Sequence, residues 1–104
     1  MTDIQMKGYS LITAFAWMDE TLPEEQANRI RQIMGEEMTR DVEGMDPGGW
    51  YSIRYLDAWQ RALAEATGAS YDKLWDLIVD VAGYTARQNL STVMRLLLKF
   101  LTPE

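Results

Sequence analysis

Three aspartates, Asp72, Asp76 and Asp80, recur at every fourth position, a spacing that puts their carboxylates on one face of a helix. Such a ladder could offer oxygen ligands to Mg²⁺ or Ca²⁺. Hard-cation sites, however, usually gather ligands from loops or several helices, whereas a single face supplies only a row of like charges. The ladder therefore reads as a solvated face opposite Leu74 and Ile78. Carboxylates are the main resource for acid–base or metal work, because the chain has no histidine and no cysteine. That removes imidazole bases, Ser-His-Asp triads, thiolate nucleophiles, His/Cys zinc sites and histidine-ligated haem. The di-iron bundle pattern, which needs Glu-x-x-His, fails for the same reason. No metal or cofactor is expected, and no enzyme.

Gly48-Gly49 suggests a phosphate loop, but a P-loop requires a preceding strand and a Gly-Lys-Ser/Thr ending. A tight connection is the better reading. Trp17, Trp50, Trp59 and Trp75 could line an apolar pocket; at helical spacing they are expected in the core. The polar run Tyr84, Thr85, Arg87, Gln88 and Asn89 lies between apolar stretches. It reads as a satisfied internal network, since no nucleophile or tuned base accompanies it.

The elements that would position these residues are helices. Leu11, Phe15, Met18 and Leu22 recur at three and four residues, marking one face of a helix over residues 8–20. Thr21, Pro23, Glu24 and Glu25 form a start signal, and the helix they open buries Ala27, Ile30, Ile33 and Met34 before Gly35. A short helix is expected over residues 36–43, then a loop over 44–49. Ser52 can cap a helix over 53–67 with the stripe Leu56, Trp59, Leu63 and Ala66, closed by Gly68. Ser70 caps the next helix, with Leu74, Ile78, Val81, Ala82 and Thr85 on one side; residues 87–89 are expected to bend or break it. Ser91 can cap a last helix, apolar almost all round. No segment alternates with period two. The expectation is a single all-α domain over residues 1–104, a compact bundle of five or six helices with no sheet.

The chain of 104 residues carries a net charge of −6, which argues against binding a nucleic-acid backbone. Residues 1–80 hold 15 of the 16 acids and 7 of the 10 basic residues, a net of −8, whereas residues 81–103 carry only Arg87, Arg95 and Lys99, a net of +3. The start of the chain has no basic segment followed by an apolar run, and no charge-free stretch approaches a bilayer span. Neither a secretory leader nor a membrane span is expected. The lack of cysteine suits a reducing, cytoplasmic compartment.

Lys7-Gly8 opening a helix with Phe15, the run Gly48-Gly49-Trp50-Tyr51-Ser52 opening another, and Arg87-Gln88-Asn89-Leu90-Ser91 leading into Met94-Arg95-Leu96-Leu97-Leu98 and Thr102-Pro103-Glu104 together carry a likeness. From Met6 to Glu104 the chain resembles the N-terminal helical part of a paralogous family of uncharacterised myxobacterial proteins. That family is distantly similar to haem-NO-binding and vinyl-reductase-type sensor domains, helical at first and strand-rich afterwards. The resemblance implies a regulatory or sensory domain, the N-terminal part of a longer parent, and transfers no site residue. Without histidine, the haem analogy lacks its ligand.

The final helix is where function is expected. Arg95 and Lys99 mark a narrow wet strip, and the apolar positions point in too many directions for one neighbour to bury. If Val93, Leu97 and Phe100 pack on the domain's own core, Met94, Leu98 and Leu101 need another cover. The leading expectation is a cytoplasmic, non-enzymatic interaction or regulatory module. It self-associates as a homodimer, or docks on a protein partner, through Met94, Leu98, Leu101, Arg95 and Lys99. The alternative is a small-molecule sensor holding an apolar ligand among Trp and Met side chains.

Overall fold

The computed structural model describes the backbone of residues 4–101 and the side chains of residues 4–88. The chain runs β1 (Gln5–Lys7), α1 (Gly8–Thr21), α2 (Glu24–Met34), α3 (Glu36–Glu43), β2 (Trp50–Ser52), α4 (Arg54–Thr67) and α5 (Tyr71–Leu101). Five helices therefore stand where five or six are expected, and the architecture is mainly helical.

The expectation of no sheet is corrected. β1 and β2 pair antiparallel, with Gln5 opposite Ser52, Met6 opposite Tyr51 and Lys7 opposite Trp50. Three residues per strand are too few to display a period-two pattern. What holds the ladder is its surroundings. Gly8 and Tyr9, at the start of α1, donate their backbone N–H groups to the carbonyls of Gly49 and Pro47 at 3.0 and 3.1 Å. Lys7 Nζ donates to Gly48 O at 3.0 Å. The loop thus satisfies helix-start donors that no side chain caps, and Gly8, with no Cβ, lets the helix start approach the backbone of Asp46 closely.

The expected break at residues 87–89 is also corrected, because the backbone of α5 is helical without interruption from Tyr71 to Leu101. The glycine stop signals act as read. Gly35, at φ 93°, separates α2 from α3, and Gly68, at φ 65°, ends α4 in the left-handed region, where a side chain would be strained. Ser70 caps α5: its Oγ accepts from Lys73 N at 3.4 Å. Thr21 makes no such cap for α2, whose first turn begins from Pro23.

The core gathers Leu11, Phe15 and Met18 of α1, Ala27, Ile30 and Met34 of α2, and Trp59 and Leu63 of α4. Arg31 clamps α2 to α1 through a bidentate pair with Asp19, at 2.8 and 2.9 Å, which raises the guanidinium pKa further. α1 is buried on a second side as well, at Ala14 and Trp17. There α5 lies against it, through a half-buried stripe that includes Leu74, Leu77, Val81 and Tyr84.

Candidate functional site

Among the described residues, α5 contributes no fully buried side chain, so its attachment rests on partial burial and one polar tie. Trp17 Nε1 donates to Asp80 Oδ2 at 2.7 Å. Trp17 is 1% exposed, so the carboxylate satisfies a donor that water barely reaches. The aspartate ladder thus divides. Asp72, Asp76 and Asp80 are all exposed overall, but Asp80 also reaches into the α1 packing. The three do not converge with other carboxylates, and no metal-holding cluster occurs among the described residues.

A clean contrast follows within one ladder. Asp80→Ala should cost about 1.5–3 kcal/mol, the worth of a hydrogen bond to a charged group plus the orphaned indole donor. Asp80→Asn, which keeps an acceptor, should lose less. Asp76→Asn should leave stability unchanged or slightly higher, because repulsion at i±4 is relieved. Urea unfolding of the three variants checks this; equal losses at positions 76 and 80 would contradict it.

The four tryptophans separate in the same way. Trp17 and Trp59 meet edge to face in the core, ring centroids 6.1 Å apart. Trp50 and Trp75, by contrast, are exposed, which corrects the expectation that all four are core. Trp50 lies under Lys7 Nζ, 4.4 Å from the ring centroid. Trp75 stacks edge to face on Tyr71 on the outer side of α5. With Val79 they form an apolar stripe at i, i+4 and i+8: Tyr71 is 74%, Trp75 51% and Val79 64% exposed.

Among the described residues, the polar run divides between half-buried and exposed positions. Tyr84 is half-buried, and burial together with a hydrogen bond to Glu20 raises its phenol pKa. Thr85 Oγ1 donates to Val81 O at 2.9 Å, while Arg87 and Gln88 are exposed. Asn89 falls outside the described side chains. The expected interface residues Met94, Arg95, Leu98, Lys99 and Leu101 fall on α5, also outside the described side chains. Gly48-Gly49 belongs to the loop that closes on α1, where Asp46 Oδ1 accepts from Gly48 N at 3.2 Å.

A cleft of about 410 Å³ opens between α1, α4 and α5. Ala14, Leu56, Ile78 and Val81 form apolar walls around Trp59. Trp59 is 1% exposed, and its Nε1 has no hydrogen-bond partner among the described residues. In the sequence Trp59 stands both in the middle of a core stripe and among four tryptophans that could line an apolar pocket; the place of the cleft between three helices and the orphan donor have no signal there.

No protein-family model, curated protein or solved structure matches this chain. The site must be interpreted from its own geometry.

Proposed function

We propose that the protein is a cytoplasmic, non-enzymatic interaction module that self-associates through α5. The observation that carries this reading is the exposed Tyr71–Trp75–Val79 stripe on a helix that has no fully buried side chain among its described residues. At 1.5 Å per residue, the 31 residues of α5 extend for about 46 Å, and their sequence charge reverses along the way. Residues 71–80 hold three aspartates and one lysine, a net of −2, and residues 81–101 hold Arg87, Arg95 and Lys99 with no acid, a net of +3.

Two such helices, paired antiparallel about a two-fold axis, bring each acidic half beside the partner's basic half. Two-fold pairing is the commonest closed assembly, and complementary charge fixes register and speeds encounter more than it tightens binding. Met94, Leu98 and Leu101 then supply apolar contact, with Arg95 and Lys99 as the basic strip. A regulatory setting for such a module is what the resemblance to the helical part of the myxobacterial family implies. No described helix is long and apolar enough to cross a membrane.

Sedimentation of the purified chain at high micromolar concentration should give twice the 12.0 kDa protomer mass. Leu98→Asp and Trp75→Asp should each give a folded monomer, and added salt should slow association. A wild type that remains monomeric at that concentration overturns the proposal.

A further inference from the structure

The exposed apolar positions of α5 do not end at Val79. Ala82 and Ala86 are exposed as well, so Tyr71, Trp75, Val79, Ala82 and Ala86 follow one another at steps of four, four, three and four residues. Steps of three and four keep a seam on one side of a helix. Here it is the side away from Leu74, Leu77, Val81 and Tyr84, which pack on the body. The seam is graded in size. It has an edge-to-face pair of rings at one end, a valine in the middle and two alanine methyl groups at the other end.

One edge of the seam is charged. Asp72, Asp76, Gly83 and Arg87 lie along it at steps of four, seven and four residues, and the charged side chains among them are exposed. A Cβ on Gly83 would come within 3.5 Å of Arg87 Nη1, so the guanidinium lies back along this edge, beside the seam. Negative groups therefore flank the large end, and a positive group flanks the small end.

We propose that α5 pairs antiparallel with α5 of a second copy, in the register that sets Trp75 on the partner's Ala86 and Val79 on the partner's Ala82. The inference rests on the self-association proposed above and names the face and alignment through which it occurs. Each large side chain then covers a methyl group, and the two-fold axis passes between Asp80 and Val81. Such an axis makes like edges meet. At 1.5 Å per residue, Arg87 comes level with the partner's Leu74, about 3 Å along the helix from both the partner's Asp72 and the partner's Asp76. A parallel pair would instead set ring on ring and methyl on methyl, and would oppose like charges at both ends. Residues 91–101 of each helix extend past the start of the partner's α5.

The wild type tests the alignment directly. In a sample mixed from isotope-labelled and unlabelled copies, filtered nuclear Overhauser spectra should connect the Trp75 ring to the Ala86 methyl group, and Val79 to Ala82. Within one helix Trp75 and Ala86 stand about 16 Å apart, so their contact arises only between copies. Charge reversal supplies a second arm. Arg87→Glu sets acid against acid, and Asp72→Lys with Asp76→Lys sets base against base; each variant alone should raise the dissociation constant about tenfold. An equal mixture of the two has complementary charge at both ends and should regain wild-type association as a heterodimer. A dimer without the Trp75–Ala86 contact, or one equally tight in both charge variants, overturns this alignment while self-association stands. A monomeric wild type overturns both. Circular dichroism checks that the charge variants fold, and the first measurement needs no variant.

Discussion

Trp59→Ala is expected to yield an unfolded or aggregated protein. The ring is 1% exposed, stands edge to face with Trp17 at 6.1 Å, and lies among Ala62, Leu63 and the buried face of α1. Truncating a buried tryptophan costs about 3–5 kcal/mol, from lost transfer energy and the cavity left behind. A domain of this size has about 5–15 kcal/mol in total. The loss is worsened here by position, because the ring backs onto an open cleft, and the void would join it and admit water. Circular dichroism with thermal melting checks the outcome. A soluble variant with an unchanged, cooperative melt would show that Trp59 is not part of the core.

Gly8→Ala should be nearly as damaging, although it adds only one methyl group. A Cβ at position 8 would project into the Asp46 carbonyl oxygen and come within 2.9 Å of Tyr51 Cε2. Neither neighbour is free to retreat. The Tyr51 hydroxyl accepts from Asp46 N at 2.8 Å, and the loop carbonyls hold the first N–H groups of α1. Relief requires the loop to separate from the helix start, forfeiting the bonds from Gly8 and Tyr9. Overpacking costs about 1–3 kcal/mol, and each lost bond adds about 1 kcal/mol, so a loss of about 3 kcal/mol or more is expected. Gly44→Ala is the control: its Cβ would meet Arg40 O at an ordinary 3.5 Å, and its φ of −99° suits any residue. Urea midpoints should fall sharply for the first variant and barely move for the second. Equal midpoints would refute the close-approach argument.

The helices were readable where one face meets one neighbour. The Ala27–Ile30–Met34 stripe, the stop at Gly35 and the short α3 over Glu36–Glu43 follow from spacing and glycine alone. The reading was less complete where two neighbours act. Trp17 lies off the Leu11–Phe15–Met18 line and is buried because α5 covers a second side of α1. Asp80 looked like its ladder neighbours because its partner is 63 residues away. The continuity of α5 was obscured by Asn89 and Ser91, residues that compete for backbone hydrogen bonds and so suggest ends. Neither glycine nor proline lies between Gly83 and Pro103, and without a strong breaker the helix runs on. The candidate cleft was illegible for a related reason: it arises where three helices fail to meet completely, and no local pattern encodes a gap.

The β1–β2 ladder has a consequence for the time course of folding. Its pairing of Lys7 with Trp50 closes a ring of chain that contains α1, α2 and α3. Closing a ring of that size costs about 3 kcal/mol in chain entropy, more than a three-residue ladder can offset before its surroundings are in place. The clasp is therefore expected to fasten after the helices have gathered and to show φ-values near zero. Interactions made only after the barrier govern escape rather than arrival. Strengthening the contact of Gly8, Tyr51 and the loop would lengthen the lifetime of the folded molecule without hastening its formation.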